Sequence, residues 1–208
     1  MAGGWSTIEK SLRAEGALHI AGVDEVGRGP LAGPVVVCAI IMPGDRRAIR
    51  GVTDSKAIAP DERERLAQKI RGDAVALALA AASVSEIAHW NIYQATARAM
   101  ARAIARLALV PDAVLVDGKP IRTLAVPHRA IVRGDARCYS ISCASIVAKV
   151  VRDRLMRALA RRHPAYGWEK NAGYGTPAHI AGLRLAGLTA HHREAFCRTA
   201  LSGDALPD

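Results

Sequence analysis

Two apolar runs near the beginning of the chain predict buried β-strands. Residues 20–23 are apolar and continue directly into Asp24 and Glu25, so we expect a strand that ends in acids. Residues 35–42 are rich in Val and Ile, which is typical of a central strand in a sheet. Closely spaced Gly and Pro residues between the two runs indicate a turn. The pattern therefore predicts two consecutive strands.

Beyond these strands, helical patterns alternate with further apolar runs. The apolar runs predict three more strands, at residues 74–83, 113–116 and 130–132. The charged and amphipathic stretches predict helices at residues 60–71, 85–109, 139–162, 177–186 and 191–201. Ser85 is the expected N-cap of the second of these helices, and residues 202–208 are expected to fray. This order indicates an α/β domain with a mixed sheet flanked by helices and a C-terminal helical addition.

Composition adds a strongly basic character to this picture. The 208 residues suit one domain with a helical appendage, and half of them are apolar, which allows a sizeable core. Lys and Arg number 29 against 19 Asp and Glu, so the formal net charge is +10. Such an excess is typical of proteins that bind a polyanion, most often nucleic acid. An Arg-rich codon bias is the alternative explanation, and composition alone leaves it open.

Cysteine usage and hydropathy indicate a soluble cytoplasmic protein. None of the four cysteines forms a CxxC pair, so we expect buried free thiols in a reducing compartment. A zinc site built from Cys138, Cys143 and a histidine would have poor spacing. Residues 1–16 contain no apolar segment typical of a signal peptide. The longest apolar run, residues 35–42, is too short to span a bilayer.

Acidic residues follow three of the predicted strands. Asp24 and Glu25 come after the first strand, Asp117 after the fourth and Asp135 after the fifth. Strand ends line the binding crevice of an open α/β sheet, where four carboxylates would repel one another. Mg²⁺ prefers oxygen ligands, and two such ions can activate a water and stabilise the leaving oxygen of a phosphodiester. Each Asp-Gly or Gly-Asp pair alone is an ordinary turn, so it is their combination that indicates a metal site.

A resemblance to a known family extends over most of the chain. Residues 22–36, GVDEVGRGPLAGPVV, resemble the signature segment of the bacterial ribonuclease HII family. The resemblance continues in the order of the family, from about residue 19 to 196. The further matching blocks are Asp54-Ser55-Lys56; Asn91 with Gln94-Ala95-Thr96; Val116-Asp117-Gly118; Gly134-Asp135; Ala144-Ser145-Ile146 with Ala148-Lys149-Val150 and Arg152-Asp153-Arg154; and Gly173-Tyr174-Gly175-Thr176 with His179.

The resemblance implies a fold and a reaction. It implies a ribonuclease H-like catalytic domain over residues 17–163, with a C-terminal helical extension over 164–208 that contributes substrate contacts. It implies an endonuclease that cuts the RNA strand of RNA–DNA hybrids and nicks on the 5′ side of single ribonucleotides in duplex DNA, leaving 5′-phosphate and 3′-hydroxyl ends. Two divalent ions, Mg²⁺ or Mn²⁺, would be bound by Asp24, Glu25, Asp117 and Asp135.

The resemblance also implies substrate contacts. Gly27-Arg28-Gly29 is expected to read the ribose, since glycines let backbone groups approach the 2′-hydroxyl and Arg28 can bind a phosphate. Tyr174 resembles a tyrosine that stacks on the sugar after the ribonucleotide. A tight turn and a structural tyrosine are the respective alternatives. Contacts to phosphates, to the substrate backbone or to the acid cluster are expected from Lys56, Ser145 and Lys149.

Three departures from the family pattern affect the expected nucleic-acid contacts near the C-terminal extension. None of them is a proposed metal ligand. The departures are Lys119, Ala172 and Glu194-Ala195. The adjacent histidines His191 and His192 are expected to be solvated rather than to serve as a base, because the two-metal scheme needs none.

Other classes of protein remain as alternatives. A non-catalytic hybrid-binding protein would be expected to have lost acids, whereas all four are present. A ribonuclease HIII usually has an N-terminal substrate-binding domain, and few residues precede the first strand here. A junction resolvase would be expected to dimerise, and the pattern shows no obvious apolar helix for that. We therefore expect a monomer that acts on RNA–DNA hybrids and on duplex DNA containing ribonucleotides; a sliding-clamp contact stays unknown.

Overall fold

The computed structural model describes residues 5–202, and its centre is a five-stranded sheet. The strands are β1 Ile20–Val26, β2 Val35–Ile41, β3 Ala76–Ala82, β4 Ala113–Asp117 and β5 Arg129–Ile131. Their order in the sheet is β3-β2-β1-β4-β5. β1 pairs with β2, and β2 with β3, in antiparallel fashion, whereas β1–β4 and β4–β5 are parallel. The predicted mixed sheet is therefore confirmed.

Helices flank the sheet along the described chain. They are α1 Thr7–Ala14, α2 Pro60–Asp73, α3 Val84–Ala105, α4 Gly134–Arg137, α5 Tyr139–Ala160, α6 Trp168–Asn171, α7 Pro177–Ala186 and α8 Glu194–Ser202, with a 3-10 turn at Pro164–Tyr166. The five predicted helices are present; α7 has the predicted bounds, and the other four have shifted ends. The sequence pattern does not predict α1, α4 or α6, because helices this short carry little periodicity.

β2 is buried on both faces, so its alternate side chains enter two different hydrophobic clusters. Val37 and Ile41 belong to a cluster that also contains residues of α3, α7 and α8. Cys38 and Ile40 belong to a second cluster, with residues of α2 and the first half of α5. A strand covered on both faces has no need of polar positions, which explains the uninterrupted apolar run in this part of the sequence.

Helix α5 packs very closely on β1, the strand that carries two of the acids. A Cβ at Gly22 would lie 2.2 Å from the backbone of Ser140, so only glycine fits. The N-terminus of α5 is capped from α1: the Glu9 carboxylate accepts hydrogen bonds from the N–H groups of Tyr139 at 3.1 Å and Ser140 at 2.8 Å. Glu9 is fully buried. These contacts fix the beginning of α5 against the sheet.

The prediction for the start of α3 is wrong by two residues. Ser83, not Ser85, is the N-cap: its hydroxyl accepts from the N–H of Glu86, whose carboxylate in turn accepts from the N–H of Ser83. Both serines precede an acid, but only Ser83 has the spacing of a capping box. The helix is also kinked at Asn91, where φ is 64° and the side chain accepts from the N–H of Gln94.

The C-terminal part of the chain shares the core of the sheet. Trp168, Leu183 and Phe196 lie in the same hydrophobic cluster as Val23 and Ala32. A catalytic domain over 17–163 and an extension over 164–208 thus remain a predicted functional division, and their described residues pack as one body. Of the segment 202–208, expected to fray, only Ser202 lies within the described residues, at the end of α8.

Two expectations from composition concern the described chain as a whole. The four cysteines are buried free thiols, as predicted; they are Cys38, Cys138, Cys143 and Cys197. No helix within residues 5–202 has both the length and the apolar character needed to cross a bilayer.

Candidate active site

The acid-bearing strand ends lie side by side at one end of the sheet. β1 and β4 are parallel with Val23 beside Val116, so Asp24 and Asp117 follow at neighbouring positions. Adjacent strands are about 4.8 Å apart, so the two carboxylates are close. β5 lies next to β4, and Asp135 follows it in the first turn of α4. The structure therefore brings together acids that are far apart in the sequence.

The backbone of α4 fixes the position of Asp117. Its Oδ1 accepts hydrogen bonds from the N–H of Gly134 at 2.6 Å and from that of Asp135 at 3.3 Å. A Cβ at Gly134 would lie 2.6 Å from Cδ1 of Ile141 and 3.2 Å from the Asp117 oxygen. The absence of a Cβ at Gly134 thus permits this close approach of α4 to Asp117.

Burial and mutual repulsion make the ionised acids unfavourable. The pKa of Asp24 is raised well above its usual value, first by burial and then by the charges of Glu25 and Asp117, although a hydrogen bond from Ser145 opposes the rise. Burial also raises the pKa of Glu25, against the lowering effect of the Arg28 guanidinium. These carboxylates therefore lack sufficient counter-charge from the protein.

Asp135 shows the same effect more weakly. Its pKa is raised by burial first, and then by the charges of Asp117 and Asp54, while Lys56 lowers it. Asp54 is thus a fifth acid near the cluster. It lies in the family-like block with Lys56, but its sequence context, an Asp-Ser turn, gave no signal separating a site residue from a turn residue.

The donor set of this cluster fits a divalent cation. Oε2 of Glu25 is buried and has no hydrogen-bond partner, which is costly for a carboxylate oxygen. Clustered carboxylates suit the hard cations Mg²⁺ and Mn²⁺. Within residues 5–202, no three His, Cys, Asp or Glu side chains stand in a group that would hold a metal ion as they are oriented.

A pocket of about 270 Å³ opens beside Glu25 and Asp117. Two cations, Arg28 and Lys119, line it together with Tyr93 of the kinked helix α3. The pocket thus presents acids and bases at once, which suits a phosphodiester held next to bound cations. Lys119 is one of the departures from the family pattern, and the structure places it at this pocket rather than near the C-terminal extension.

The GRG loop, Gly27-Arg28-Gly29, leaves β1 directly after the acids and faces Tyr174. Gly27 has a φ of 97°, a conformation that favours glycine. The Arg28 guanidinium lies 3.5 Å from Oε1 of Glu25. A Cβ at Gly29 would lie 3.8 Å from the ring of Tyr174, and this tyrosine is 46% exposed. The structure therefore places the loop expected to read the ribose close to the tyrosine expected to stack on the following sugar.

Two buried arginines hold this loop and the segment that follows it. Arg193, just before α8, donates to the carbonyl oxygens of Gly27 at 2.5 Å, of Arg28 at 2.6 Å and of Gly33 at 2.8 Å. Arg152 of α5 donates to the carbonyls of Ala32, Pro34 and Ala172. Sequence reasoning assigned neither arginine a role, because nothing in the sequence distinguishes a buried arginine from an exposed one.

Lys56 and Ser145 are associated with different acids, Asp135 and Asp24 respectively. Lys56 is exposed and close enough to Asp135 to lower its pKa. Ser145 is buried beside Asp24, and its Oγ lies 3.0 Å from Oγ of Ser55. The structure thus directs Ser145 toward an acid rather than toward the surface.

Lys149 is not brought into the pocket of the acids. Its Nζ lies 2.7 Å from Oδ1 of Asp153, one turn further along α5. Together with Arg63 it lines a separate groove of about 250 Å³ between α2, α5 and α6. A contact of Lys149 with the substrate therefore stays a prediction for a more distant part of the duplex.

The expectation that His191 and His192 are solvated is wrong for His192. His192 is buried, its Nε2 lies 3.1 Å from Nε2 of His179, and its Nδ1 accepts from the N–H of Thr189. Burial and the neighbouring histidines lower its pKa to about 4. The sequence pattern places the pair before a helix but does not reveal the aromatic cluster, around Trp168, that covers His192.

Comparisons with known proteins agree with this architecture. The family model described as Ribonuclease HII matches residues 21–199. The chain is 49% identical over 198 residues to the ribonuclease HII of Thermosynechococcus vestitus, covering 95% of this chain and 92% of that protein. It is 52% identical over 189 residues to the ribonuclease HII of Granulibacter bethesdensis, covering 89% and 86%. The ribonuclease H2 structure from Pyrococcus horikoshii OT3 superposes with a TM-score of 0.76 at 26% identity, over 89% of this chain and 98% of that one.

The predicted ribonuclease H-like fold is thus confirmed by the sheet, by the flanking helices and by the structural neighbour. The family match extends through the strand ends that carry the acids, the GRG loop and the C-terminal helices. The chain therefore belongs to the ribonuclease HII family, hydrolytic endoribonucleases that cleave the RNA strand of RNA–DNA hybrids.

Proposed function

We propose that this chain nicks on the 5′ side of a ribonucleotide, including a single ribonucleotide embedded in duplex DNA, and leaves 5′-phosphate and 3′-hydroxyl ends. The observation that carries the proposal is the proximity of Gly29 to the ring of Tyr174, which would lie 3.8 Å from a Cβ at Gly29, in the loop that follows the strand with Asp24 and Glu25. Arg28 connects the two parts, since it lies 3.5 Å from Glu25. Groups suited to one ribose, to the next sugar and to the phosphate between them are therefore neighbours.

Divalent cations, two during catalysis and either Mg²⁺ or Mn²⁺, are assigned to Asp24, Glu25, Asp117 and Asp135. Enzymes of this family depend on divalent metal ions. When bound, such ions supply an activated water and stabilise the charge on the leaving oxygen. The unpartnered oxygen of Glu25 and the raised pKa of Asp24 support the assignment, because a cation would satisfy the first and relieve the second. Asp117 is already fixed by α4.

The remaining side chains bind and orient the substrate. Arg28 and Lys119 line the pocket beside the acids, and Lys56 lies near Asp135. We assign these three cations to phosphates of the cleaved strand. Tyr174 offers an exposed aromatic ring to the sugar that follows the ribonucleotide. Ser145 is assigned a positioning role at Asp24 through its hydrogen bond.

The test is cleavage of a labelled DNA duplex that contains one ribonucleotide. With Mg²⁺ we expect one nick on the 5′ side of the ribonucleotide, and with a chelator none. An all-DNA duplex of the same sequence is the matched control and should stay intact. If long hybrids are cut but the single ribonucleotide is not, the roles of the GRG loop and Tyr174 are wrong. If neither is cut, a non-catalytic binding function replaces the proposal.

A further inference from the structure

We infer that Arg193 is a positioning residue for ribose recognition: from the C-terminal part of the chain, it fixes the GRG loop so that two backbone N–H groups of the loop face the substrate. This role rests on the proposed function of the GRG loop as the ribose reader. Arg193 acts on the loop and not on the acids, because its hydrogen bonds go to backbone carbonyls.

The guanidinium of Arg193 is committed to this loop. It is 2% exposed, and four hydrogen bonds of 2.5–3.0 Å connect it to the carbonyls of Gly27, Arg28 and Gly33. None of the ion pairs found within residues 5–202 involves it. Burial and the nearby charge of Arg152 lower its pKa to about 9. A cation buried without a carboxylate is costly, so a stabilising role alone is a poor explanation for it.

Because peptide bonds are planar, the hydrogen bonds from Arg193 to the loop carbonyls also fix the direction in which the N–H groups of the loop point. The C=O and the N–H of one trans peptide point in opposite directions, and the described residues contain no cis peptide. Arg193 holds the carbonyls of Gly27 and Arg28 on its own side. The N–H groups of Arg28 and Gly29 belong to the same two peptides and therefore point to the opposite side.

Those two N–H groups are available to a ligand. Within the described chain, neither the N–H of Arg28 nor that of Gly29 donates a hydrogen bond to the protein. Successive free N–H groups form a concave donor site for an oxygen, such as a 2′-hydroxyl or a phosphate oxygen. Gly29 also faces the ring of Tyr174, at 3.8 Å from a Cβ placed on it. The free N–H donors of Arg28 and Gly29 thus lie close to Tyr174.

The backbone around Arg193 is itself tied to the segment after the loop. Its N–H donates to the carbonyl of Leu31 at 2.8 Å. The N–H of Leu31 donates to the carbonyl of Gly173, the residue before Tyr174, also at 2.8 Å. Loop, arginine and tyrosine are therefore linked by consecutive hydrogen bonds. Loss of the guanidinium is expected to free the loop while this backbone link remains.

Only arginine can make this contact in full. Its planar fork reaches several acceptors at once, whereas a lysine ammonium is a single point on a flexible stem. Arg193→Lys keeps the charge but loses the fork, and Arg193→Gln loses both. A graded effect of these two variants therefore separates orientation of the loop from charge alone.

The experiment measures two quantities for the wild type and both variants. One is the single-turnover rate on a duplex with one ribonucleotide and Mg²⁺. The other is the Kd for an all-DNA duplex of the same sequence, measured by competition. For Arg193→Gln we expect a rate loss on the order of 100-fold, as for a misplaced positioning group. Arg193→Lys should fall between Gln and wild type, and the Kd for all-DNA duplex should not change in either.

A matched variant controls for lost stability. Ile70→Ala removes a fully buried side chain from α2 in the other hydrophobic cluster. It should lower the unfolding midpoint and leave both quantities unchanged below that temperature. If Arg193→Gln does not fold, the Lys variant carries the test alone, with the same expected separation of rate and Kd.

Three results would overturn the role of Arg193. They are a wild-type rate in Arg193→Gln, a loss of all-DNA affinity in proportion to the loss of rate, and a full loss of rate in Ile70→Ala. A wild-type protein that does not nick the single-ribonucleotide duplex would instead overturn the proposed function, and this role with it. The two failures are therefore distinguishable.

Discussion

Asp24 is the residue on which the site depends most directly. It is buried, it lies beside Asp117 on the neighbouring parallel strand, and both Glu25 and Asp117 raise its pKa. A residue in that position is unfavourable as an anion unless a cation is close. The burial and crowding of this carboxylate therefore destabilise the fold without a cation, and they also favour the binding of one.

Asp24→Asn should abolish cleavage and preserve binding. The amide keeps the shape of the side chain but loses the charge that a cation requires, while the basic contacts to phosphate are untouched. We expect no measurable turnover with Mg²⁺, and a Kd for the single-ribonucleotide duplex within about ten-fold of wild type, or about 1.4 kcal/mol. Because a repelling buried charge is removed, the metal-free variant should also unfold at a higher temperature than wild type. Retained turnover would remove Asp24 from the mechanism.

Tyr174→Ala tests whether Tyr174 stacks on the sugar after the ribonucleotide and so recognises the junction between RNA and DNA. Stacking on an aromatic ring contributes about 1–3 kcal/mol by alanine substitution, so we expect kcat/KM on a single ribonucleotide to fall about ten-fold or more. Long hybrids offer many equivalent sites, and their cleavage should fall less. Tyr174→Phe retains the ring and serves as the control. Equal losses on both substrates would contradict the junction role.

At the residue scale, the sequence is sufficient to locate the acids that the fold brings together, but not to find side chains whose surroundings depend on burial. The acids Asp24 and Asp117 are readable because each follows an apolar run. Arg193 and His192 are not, because their partners are backbone carbonyls and rings that only the folded chain brings near. Ser145 could be located in a family-like block, but its orientation toward Asp24 depends on the packing of α5.

At the scale of elements, helix α5 packs against the strand that carries Asp24 and Glu25 and supports the site. It lies against β1 at Gly22, carries Ser145 and Arg152, and begins directly after α4. Its N-terminus has no side-chain cap of its own and is capped by Glu9. The short helix α1 therefore has a structural role, through its buried Glu9, that its sequence does not reveal.

Glu9→Ala should destabilise the fold without changing the chemistry. Two N–H groups at the start of α5 would lose a charged acceptor in a buried place. A hydrogen bond to a charged group contributes about 1.5–3 kcal/mol and two are lost, so the free energy of unfolding should fall by at least that amount in a urea titration. Glu15→Ala, exposed in the next turn after α1, is the control and should be neutral. A neutral Glu9→Ala would show that the cap is dispensable.

The sequence pattern predicts some features of the strands and helices better than others. The five strands are all predicted, with ends that differ by up to three residues: β1 continues through Asp24 and Glu25 to Val26, whereas the apolar run ends at Val23. The kink of α3 at Asn91 is missed, since both halves of the helix continue the same periodicity. Only the side-chain cap from Asn91 to Gln94 marks the break, and an isolated Asn does not predict it.

Over the whole molecule, the net charge of +10 should appear as salt-dependent binding. If the three cations Arg28, Lys56 and Lys119 contact phosphates, log Kd against log salt should have a slope near 2.7, a loss of about 40-fold from 50 to 200 mM salt. Lys119→Asn should lower the slope by about one. A flat response would mean that this surface is not where the duplex docks.

The shared core of the two halves is the least predictable feature at this scale. The sequence indicates a helical addition after residue 163, but not that Trp168 and Phe196 complete the cluster around Val23. The apolar pattern of a short amphipathic helix does not predict which surface of the protein the helix covers. The fold class follows from the order of elements, whereas the union of sheet and extension depends on long-range packing.

The hydrogen bonds between Arg193 and the GRG loop have a consequence for synthesis of the protein in the cell. The GRG loop leaves the ribosome early, directly after the first strand, whereas Arg193 follows all five strands and most of the helices. The loop therefore lacks its hydrogen bonds to Arg193 until nearly the whole chain has been translated. We therefore expect a newly made chain to acquire an ordered ribose-binding loop only once its last helix, α8, has been synthesised and packed against the sheet.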